Sequence, residues 1–212
     1  MIKWKNSYLV LVFAIALNSG CAEQTNNSRD AALSLEGFEI TPYKNVNNAF
    51  HVTKKNDKDV LVEEGDTKGK AKEGPWITYH KSNRSKHIPE TITTYKNDKK
   101  NGLFLRIDDK NNLKERAYYV DGILEGERML YNRSRIKEIA FYKNGKLEGE
   151  RKMYYENGND KLQEESFFKN GERHGTSKWY DQDGNVTIEY EYENGKKIGE
   201  NKAKPVEKKE EE

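Results

Sequence analysis

The side chains that could support metal binding or catalysis are few and widely spaced. The chain has four histidines, His51, His80, His87 and His174, and their spacing matches none of the short motifs of metal sites. It contains neither a Gly-x-Ser-x-Gly motif nor a glycine-rich phosphate-binding loop. We therefore expect no metal, no cofactor and no catalytic residues.

Three glutamates, Glu115, Glu138 and Glu164, stand at matching positions in successive stretches of the chain. A ladder of carboxylates could bind cations, or could carry the acid–base chemistry of a hydrolase or lyase. Cross-strand pairing with lysine and arginine is the favoured interpretation.

Six aromatic residues of the repeats are candidates for a binding face, because tyrosine and tryptophan are enriched at interfaces. They are Trp76, Tyr79, Phe104, Tyr131, Tyr154 and Trp179. In a one-layer sheet the same side chains would also have to form whatever core exists. The sequence leaves both roles open, and it does not decide on which face the repeated tyrosines lie.

Cys21 is the only cysteine, and it follows a short apolar segment. Met1–Asn6 carries two lysines, and Tyr8–Leu17 is an unbroken apolar run of ten residues. A basic start, a short apolar run and small residues before a cleavage point are typical of a secretory signal. Ten residues extend about 15 Å as a helix, half of a hydrocarbon core, so a membrane-spanning anchor is not expected.

The residues Ser19-Gly20-Cys21 resemble the lipobox of bacterial lipoproteins. The resemblance implies that residues 1–20 are removed and that Cys21 is acylated; an ordinary signal peptide with a free thiol is the alternative. Ala22 stands where aspartate retains many such proteins in the inner membrane, which favours the outer membrane.

Glycine recurs at a nearly constant interval between residues 74 and 199. These spaced glycines are Gly74, Gly102, Gly126, Gly149, Gly175 and Gly199. A turn-forming pair ends four residues before each of the last five: Asn97-Asp98, Asp121-Gly122, Asn144-Gly145, Asn170-Gly171 and Asn194-Gly195. Asn-Gly and Asp-Gly favour positive φ at both residues, as a type I′ hairpin turn requires. The pattern predicts five tandem β-hairpins.

The residues between turns alternate as β-strands do. In the last copy Val186, Ile188, Tyr190 and Tyr192 alternate with polar residues. All the variation in repeat length falls in one connection, which indicates fixed strands and tight turns with variable outer loops. The spaced glycines fall inside the following strand, where glycine marks a bulge or a close backbone approach.

These patterns divide the chain into five parts. We expect a signal peptide at 1–20, a flexible tether at 21–36, a cap or divergent repeat at 37–73, five hairpin repeats at 74–199 and a charged, disordered tail at 200–212.

Basic and acidic side chains nearly cancel, 38 against 36. Removal of residues 1–20 would take away Lys3 and Lys5 and leave the two kinds equal in number. Because the charges are also interleaved along the repeats, no basic patch is available, and we expect no nucleic-acid partner.

The segment Phe141-Tyr-Lys-Asn-Gly-Lys-Leu-Glu-Gly-Glu-Arg-Lys-Met-Tyr-Tyr155, and its counterpart from Phe167 to Tyr180, resemble the MORN repeat in its bacterial variant form. The resemblance implies an all-β fold: an elongated, single-layer antiparallel sheet of tandem hairpins. Repeats of this kind serve as protein-binding scaffolds, some have been proposed to contact phospholipid, and some bacterial members are labelled antitoxin components.

The leading hypothesis is a non-enzymatic, lipid-anchored envelope protein whose repeat surface binds an unidentified protein, as a scaffold or adaptor. The alternative is an antitoxin- or immunity-type inhibitor that masks a toxin, although an export signal fits poorly with a cytoplasmic antitoxin. A carboxylate-dependent hydrolase or lyase is the third hypothesis.

We predict that the Cys21→Ser protein will not be labelled by a radioactive fatty acid and will no longer sediment with membranes, because the acylated thiol would be its only anchor. Fractionation of cells expressing the wild-type and Cys21→Ser chains tests this. Membrane association that survives the substitution would contradict the predicted anchor.

Overall fold

The computed structural model describes residues 34–81, 87–156 and 160–202. The predicted signal peptide, Cys21, most of the tether and residues 203–212 of the tail lie outside these ranges. Every regular element in the described ranges is a β-strand. The strands are β1 (Phe38–Pro42), β2 (Ala49–Lys55), β3 (Leu61–Lys68), β4 (Ala71–Tyr79), β5 (Pro89–Lys96), β6 (Lys99–Ile107), β7 (Leu113–Val120), β8 (Ile123–Leu124), β9 (Gly126–Asn132), β10 (Arg135–Lys143), β11 (Lys146–Tyr154), β12 (Leu162–Lys169), β13 (Glu172–Tyr180), β14 (Val186–Glu193) and β15 (Lys196–Lys202).

The fifteen strands form one open, antiparallel sheet in which spatial order follows chain order. Each strand pairs with the strands before and after it, except that the two-residue β8 pairs only with β7, beside β9. The predicted all-β, antiparallel hairpin array is therefore confirmed. Within the described residues no second layer of secondary structure packs on the sheet, and no helix is long and apolar enough to cross a membrane.

Each pair of strands that the sequence joins by Asn-Gly, Asp-Gly or Asn-Asp is connected by a two-residue turn, here called an inner turn. Both residues of every inner turn have positive φ; in the third copy the angles are 51° at Asn144 and 77° at Gly145. This is the φ combination of a type I′ turn. Asp98, which carries a Cβ where the other copies have glycine, also has a φ of 65°, and its carboxylate accepts a 2.7 Å bond from the Lys72 N–H.

The spaced glycines form bulges in the second strand of the inner hairpins. In one hairpin Ala140 pairs with Arg151 but Tyr142 pairs with Leu147, so the strand containing Gly149 carries extra residues. The φ of Gly149 is 91°, a conformation that residues with a Cβ seldom adopt. On its other side Gly149 lies opposite Phe168, the repeat aromatic of the next hairpin.

The outer loops join one hairpin to the next, and several share a local hydrogen-bond pattern. In the loop after β6, the Asp108 carboxylate accepts bonds from the backbone N–H groups of Lys110 (3.0 Å) and Asn112 (2.8 Å). Asp181 and Asn56 accept the equivalent bonds in their own loops. These backbone bonds lower the pKa of Asp108 and of Asp181. Each is an Asx-type turn that fixes the exit angle of the strand before it.

Residues 61–79 form a further hairpin of the same kind, made of β3 and β4. Its turn is Gly69-Lys70, in which only Gly69 has positive φ, at 65°. Gly74 follows Lys70 by four residues and has a φ of 72°; the φ is also positive at Gly102, Gly126, Gly149 and Gly175. Thr67 occupies the position of the repeat aromatic, and β1 and β2 extend the sheet beyond this hairpin.

The most deeply buried side chains lie along the middle of one face of the sheet. Val52, Trp76, Ala117 and Ala140 are at most 2% exposed. Trp76 lies flat against the backbone of its cross-strand partner: a Cβ on Gly65 would be 2.4 Å from the indole ring. The indole N–H donates a 2.7 Å bond to the carbonyl of Asp66, which fixes the ring in place.

We predict that Gly65→Ala lowers the free energy of unfolding by about 2 kcal/mol or more, because the methyl group overlaps the ring of Trp76 and the Asp66 bond prevents the ring from moving aside. In a Trp76→Leu background the same change should cost much less. Urea melts of the four proteins in this double-mutant cycle measure the coupling. Additive losses would contradict the ring-on-backbone contact.

Candidate functional site

The sheet has two faces of different character, which direct cross-strand pairing defines, because paired side chains share a face. The packed face contains Trp76, Phe104, Glu115, Ala140 and Ser166. The open face contains Ile92, Leu105, Tyr118, Phe141 and Phe167. No described segment covers either face, so both are open to solvent or to a partner.

The six candidate binding residues are divided between these faces. Trp76, Phe104 and Trp179 lie on the packed face, where Trp76 is 2% and Phe104 is 9% exposed. Tyr79, Tyr131 and Tyr154 alternate with packed-face neighbours and lie on the open face. The Tyr131 hydroxyl contacts Met129 there. The six side chains therefore do not form one surface, and the two buried rings act as core.

Aromatic rings and cations alternate along the packed face. The Lys72 ammonium lies 3.8 Å from the centre of the Trp76 ring and 5.2 Å from that of Tyr95. In the next hairpin Lys100 lies between Phe104 and Tyr119, at 4.7 Å and 4.9 Å. These cation–π contacts link the second strand of one hairpin to the first strand of the next.

The three repeated glutamates lie on the packed face, each against an arginine. Glu115 accepts a 2.7 Å bond from Arg128 and a 3.2 Å bond from Arg106. Glu138 accepts a 2.8 Å bond from Arg151. The three glutamates are at most 9% exposed, so these pairs are partly desolvated and hold adjacent strands in register.

Glu164 has the most partners of the three. It accepts a 2.6 Å bond from Arg173 and a short one from Ser166, and Arg151 lies 4.0 Å away. Burial opposes ionisation, but the bonds from Ser166 and Arg173 and the two arginine charges outweigh it, so the pKa of Glu164 is lowered. A carboxylate held ionised and occupied in this way is a structural anion and not a proton donor.

Each of five hairpins, from β3–β4 to β12–β13, has a lysine or arginine on the packed face, at one of two positions along its second strand. Two residues after the turn of each stand Lys72, Lys100, Leu124, Leu147 and Arg173, and four residues further along the strand stand Trp76, Phe104, Arg128, Arg151 and Ser177. Where the first position is leucine, the second is arginine. Each hairpin thus places one cation over this part of the face, either above a ring or against a glutamate.

Successive inner turns are joined by hydrogen bonds that sequence reasoning missed. The backbone N–H of Gly171 donates a 2.8 Å bond to the carbonyl of Leu147 in the preceding hairpin. The N–H of its neighbour Asn170 donates a 2.7 Å bond to the carboxylate of Glu148. Glu73 and Glu125 accept the corresponding bonds in other copies. The recurrence of glutamate three residues after the turn was the signal for this contact.

Apolar side chains cross the middle of the open face. The open-face apolar row consists of Ile77, Ile92, Leu105, Met129 and Ile139. Ile77, Ile92 and Leu105 are directly paired on three adjacent strands, and Met129 is paired with Ile139. Between these two parts Arg116 on β7 is paired with both Leu105 and Met129, so a cation interrupts the row. All five are only half-buried, because nothing described lies above them.

Polar pairs continue the open face on both sides of this row. On the C-terminal side Lys152 pairs with Glu165 (3.5 Å) and Lys178 with Glu189 (3.5 Å). On the N-terminal side the Tyr79 hydroxyl donates to Glu64. Partial burial and this bond raise the pKa of Tyr79 to about 12.

The histidines are dispersed over the described sheet. His51 contacts Asp66 at 2.8 Å, His80 contacts the carbonyl of Ile107 at 2.9 Å, and the Nδ1 atom of His174 is buried without a hydrogen-bond partner. Among residues 34–81, 87–156 and 160–202 no group of three histidine, cysteine or acidic side chains has the arrangement of a metal site.

Two adjacent segments match a known repeat family. Residues 147–170 and 173–199 match the MORN repeat variant. Each matched segment holds the second strand of one hairpin, its outer loop and the first strand of the next hairpin, and the same strand–loop–strand unit recurs along the rest of the sheet. No curated protein matches the chain significantly. MORN repeats are commonly protein- or membrane-interaction modules, and the family is generally non-catalytic.

We predict that Glu164 contributes stability that disappears in acid. Because its pKa in the folded chain is below the ordinary value of 4.5, the contribution is complete above that value and is lost as the pH falls through it towards the folded-state pKa. Glu164→Gln should therefore destabilise the protein at neutral pH and flatten its loss of stability between about pH 6 and pH 3.

Glu156→Gln is the matched control, since Glu156 is exposed and pairs with Lys137 at 3.0 Å. Surface pairs of this kind contribute little, about 0–1 kcal/mol. Denaturant melts across the pH range compare the three proteins. A Glu164→Gln protein with an unchanged pH profile would contradict the view that Glu164 is held ionised by Arg173 and Ser166.

Proposed function

We propose that the chain is a non-enzymatic interaction module, anchored to the cell envelope through Cys21, that binds a partner protein on its open face. The observation that supports the binding surface is the open-face apolar row. The row places one half-buried apolar side chain on each of β4, β5, β6, β9 and β10, and no described segment covers it. Only Arg116 on β7, paired with Leu105 and Met129, interrupts it. Exposed apolar patches often mark interaction sites on protein surfaces.

The packed face is a poorer candidate. Its rings are buried or stacked against cations, and its carboxylates are bonded to arginines. A partner would have to break these contacts before making its own, whereas the open-face apolar row can be covered without rearrangement.

The contribution of the anchor is positional. A repeat sheet attached through the tether would hold its open face close to the membrane on which its partner is concentrated, and the tether would raise the effective concentration of one for the other. The outer membrane is favoured because Ala22 follows Cys21.

The test is photo-crosslinking in cells, with a photoreactive amino acid in place of Leu105 or Ile92 in the open-face apolar row. The expected result is a discrete crosslinked product at both positions, lost when Met129→Glu adds a charge to the row and reduced by Cys21→Ser. Lys96, exposed at the end of β5, provides the matched control position.

The proposal fails if no discrete product forms, or if Lys96 gives the same product. If the crosslinked partner arrests growth when it is expressed alone, and this chain suppresses that toxicity, the chain is an antitoxin-type inhibitor and not a scaffold.

A further inference from the structure

A row of exposed aromatic rings lies on the open face, next to the apolar row and distinct from it. Tyr118, Phe141 and Phe167 stand at the same position in three successive hairpins and are 41%, 39% and 41% exposed. The corresponding residues of the two hairpins before them are Asp66 and Thr94, so the aromatic row is confined to the strands from β7 to β12.

The rings are regularly spaced. Tyr118 is on β7, Phe141 on β10 and Phe167 on β12, and in the sheet these are every second strand. Adjacent strands are about 4.8 Å apart, so the rings recur about every 10 Å and the outer two are about 20 Å apart. A ligand that uses all three must be an extended polymer with a matching repeat.

Each of the last two rings has a free side and a polar side. Gly149 and Gly175 lie next to Phe141 and Phe167, and a Cβ on either glycine would be 4.0 Å from the Cβ of the phenylalanine. Because glycine has no side chain, nothing covers the rings there. On the other side Glu127 is paired with Phe141, and Glu150 is paired with Phe167.

The carboxylates beside the rings are neutralised by the chain itself. Glu127 is hydrogen-bonded to Arg116, and Glu150 lies 2.7 Å from the ammonium of Lys152. A polyanion or polycation would have to displace one member of each pair and would gain little from the other. The surface therefore complements an uncharged ligand, to which each pair offers both hydrogen-bond donors and acceptors.

We propose that the row formed by Tyr118, Phe141 and Phe167 is a binding site for a neutral, extended β-1,4-linked glycan. Sugar rings in such a chain have an apolar face of C–H groups that stacks on aromatic rings, and hydroxyls at the rim that exchange hydrogen bonds with the ion pairs. The chain repeats every two sugars, a length close to the spacing of about 10 Å between the rings. The glycan lies across the strands, with alternate sugars on the three rings.

The test is calorimetric titration of the purified full chain with cello- and chito-hexaoses and with their disaccharides. At least one hexaose is expected to bind, and the matching disaccharide at least tenfold more weakly, because only the hexaose spans the three rings. This comparison needs no variant, so it does not depend on whether a substitution folds.

Phe141→Leu keeps an apolar side chain but removes the central ring. It should weaken hexaose binding by about fivefold to tenfold, the value of one ring contact, while Phe141→Trp retains binding. Ile198→Ala, which alters an exposed apolar residue on β15 outside the row, is the matched control and should bind as wild type.

The proposal is overturned if neither hexaose binds, or if a folded Phe141→Leu protein binds as the wild type does. It is also overturned if the row instead holds two copies of the chain together, seen as a dimer in light scattering that Phe141→Leu dissociates. Because the titration uses purified protein and the crosslinking uses the apolar row in cells, either result can fail without the other.

Discussion

The stability of this sheet depends on the contact between each hairpin and the next. Within the described residues no second layer packs on the sheet, so a hairpin can bury surface and satisfy its backbone only against its two neighbours. Hydrogen bonds between adjacent strands supply most of this contact. At the turn end of each interface, bonds from one inner turn to the preceding hairpin add to it. Under such nearest-neighbour coupling, stability is close to a sum of hairpin and interface contributions, and damage to a central hairpin weakens both of its interfaces.

The packed face shows how such a sheet manages with little apolar surface. One third of the residues are hydrophobic, too few for a thick core. Small side chains such as Ala117, Ala140 and Ser166 leave the middle of the face close to the backbone, and long side chains from the neighbouring strands cover them. Arg128 and Arg151 use their apolar stems for this and direct their guanidinium groups to buried glutamates. Each of these arginines therefore buries its small neighbours and also bonds one strand to the next. The two hairpins that have leucine near the turn are the ones in which arginine supplies the cation further along the strand.

The repeat periodicity was sufficient to predict the fold class, since the turn pairs and the alternation of the strands are local signals. It was not sufficient to predict the faces. A bulge changes which way the following residues point, so the face of the residues after Gly74, Gly102 and their equivalents could not be read from the spacing. Trp76 and Tyr79, three positions apart on β4, lie on opposite faces because side chains alternate along a strand. The hairpin of β3 and β4 was harder to recognise because Thr67 and Gly69-Lys70 lack the aromatic residue and the Asn-Gly pair. Asp98 stands where the other turns have glycine, so the sequence pattern there was a weak turn signal. The bond from the Lys72 N–H to its carboxylate stabilises the positive φ of this residue.

The difference between the two faces decides where function can be placed. On the packed face a substitution alters a ring–cation or glutamate–arginine contact between two hairpins, so its residues are constrained by stability. On the open face, apolar side chains are paired near β4 and lysine–glutamate pairs lie towards β14. Exposed aromatic rings on β7, β10 and β12 form a second row beside them. No inner turn or packed-face contact depends on these side chains, so each hairpin is free to present a different surface. An array of this kind can therefore place two binding surfaces side by side on one rigid sheet, with the hairpin as the unit that varies.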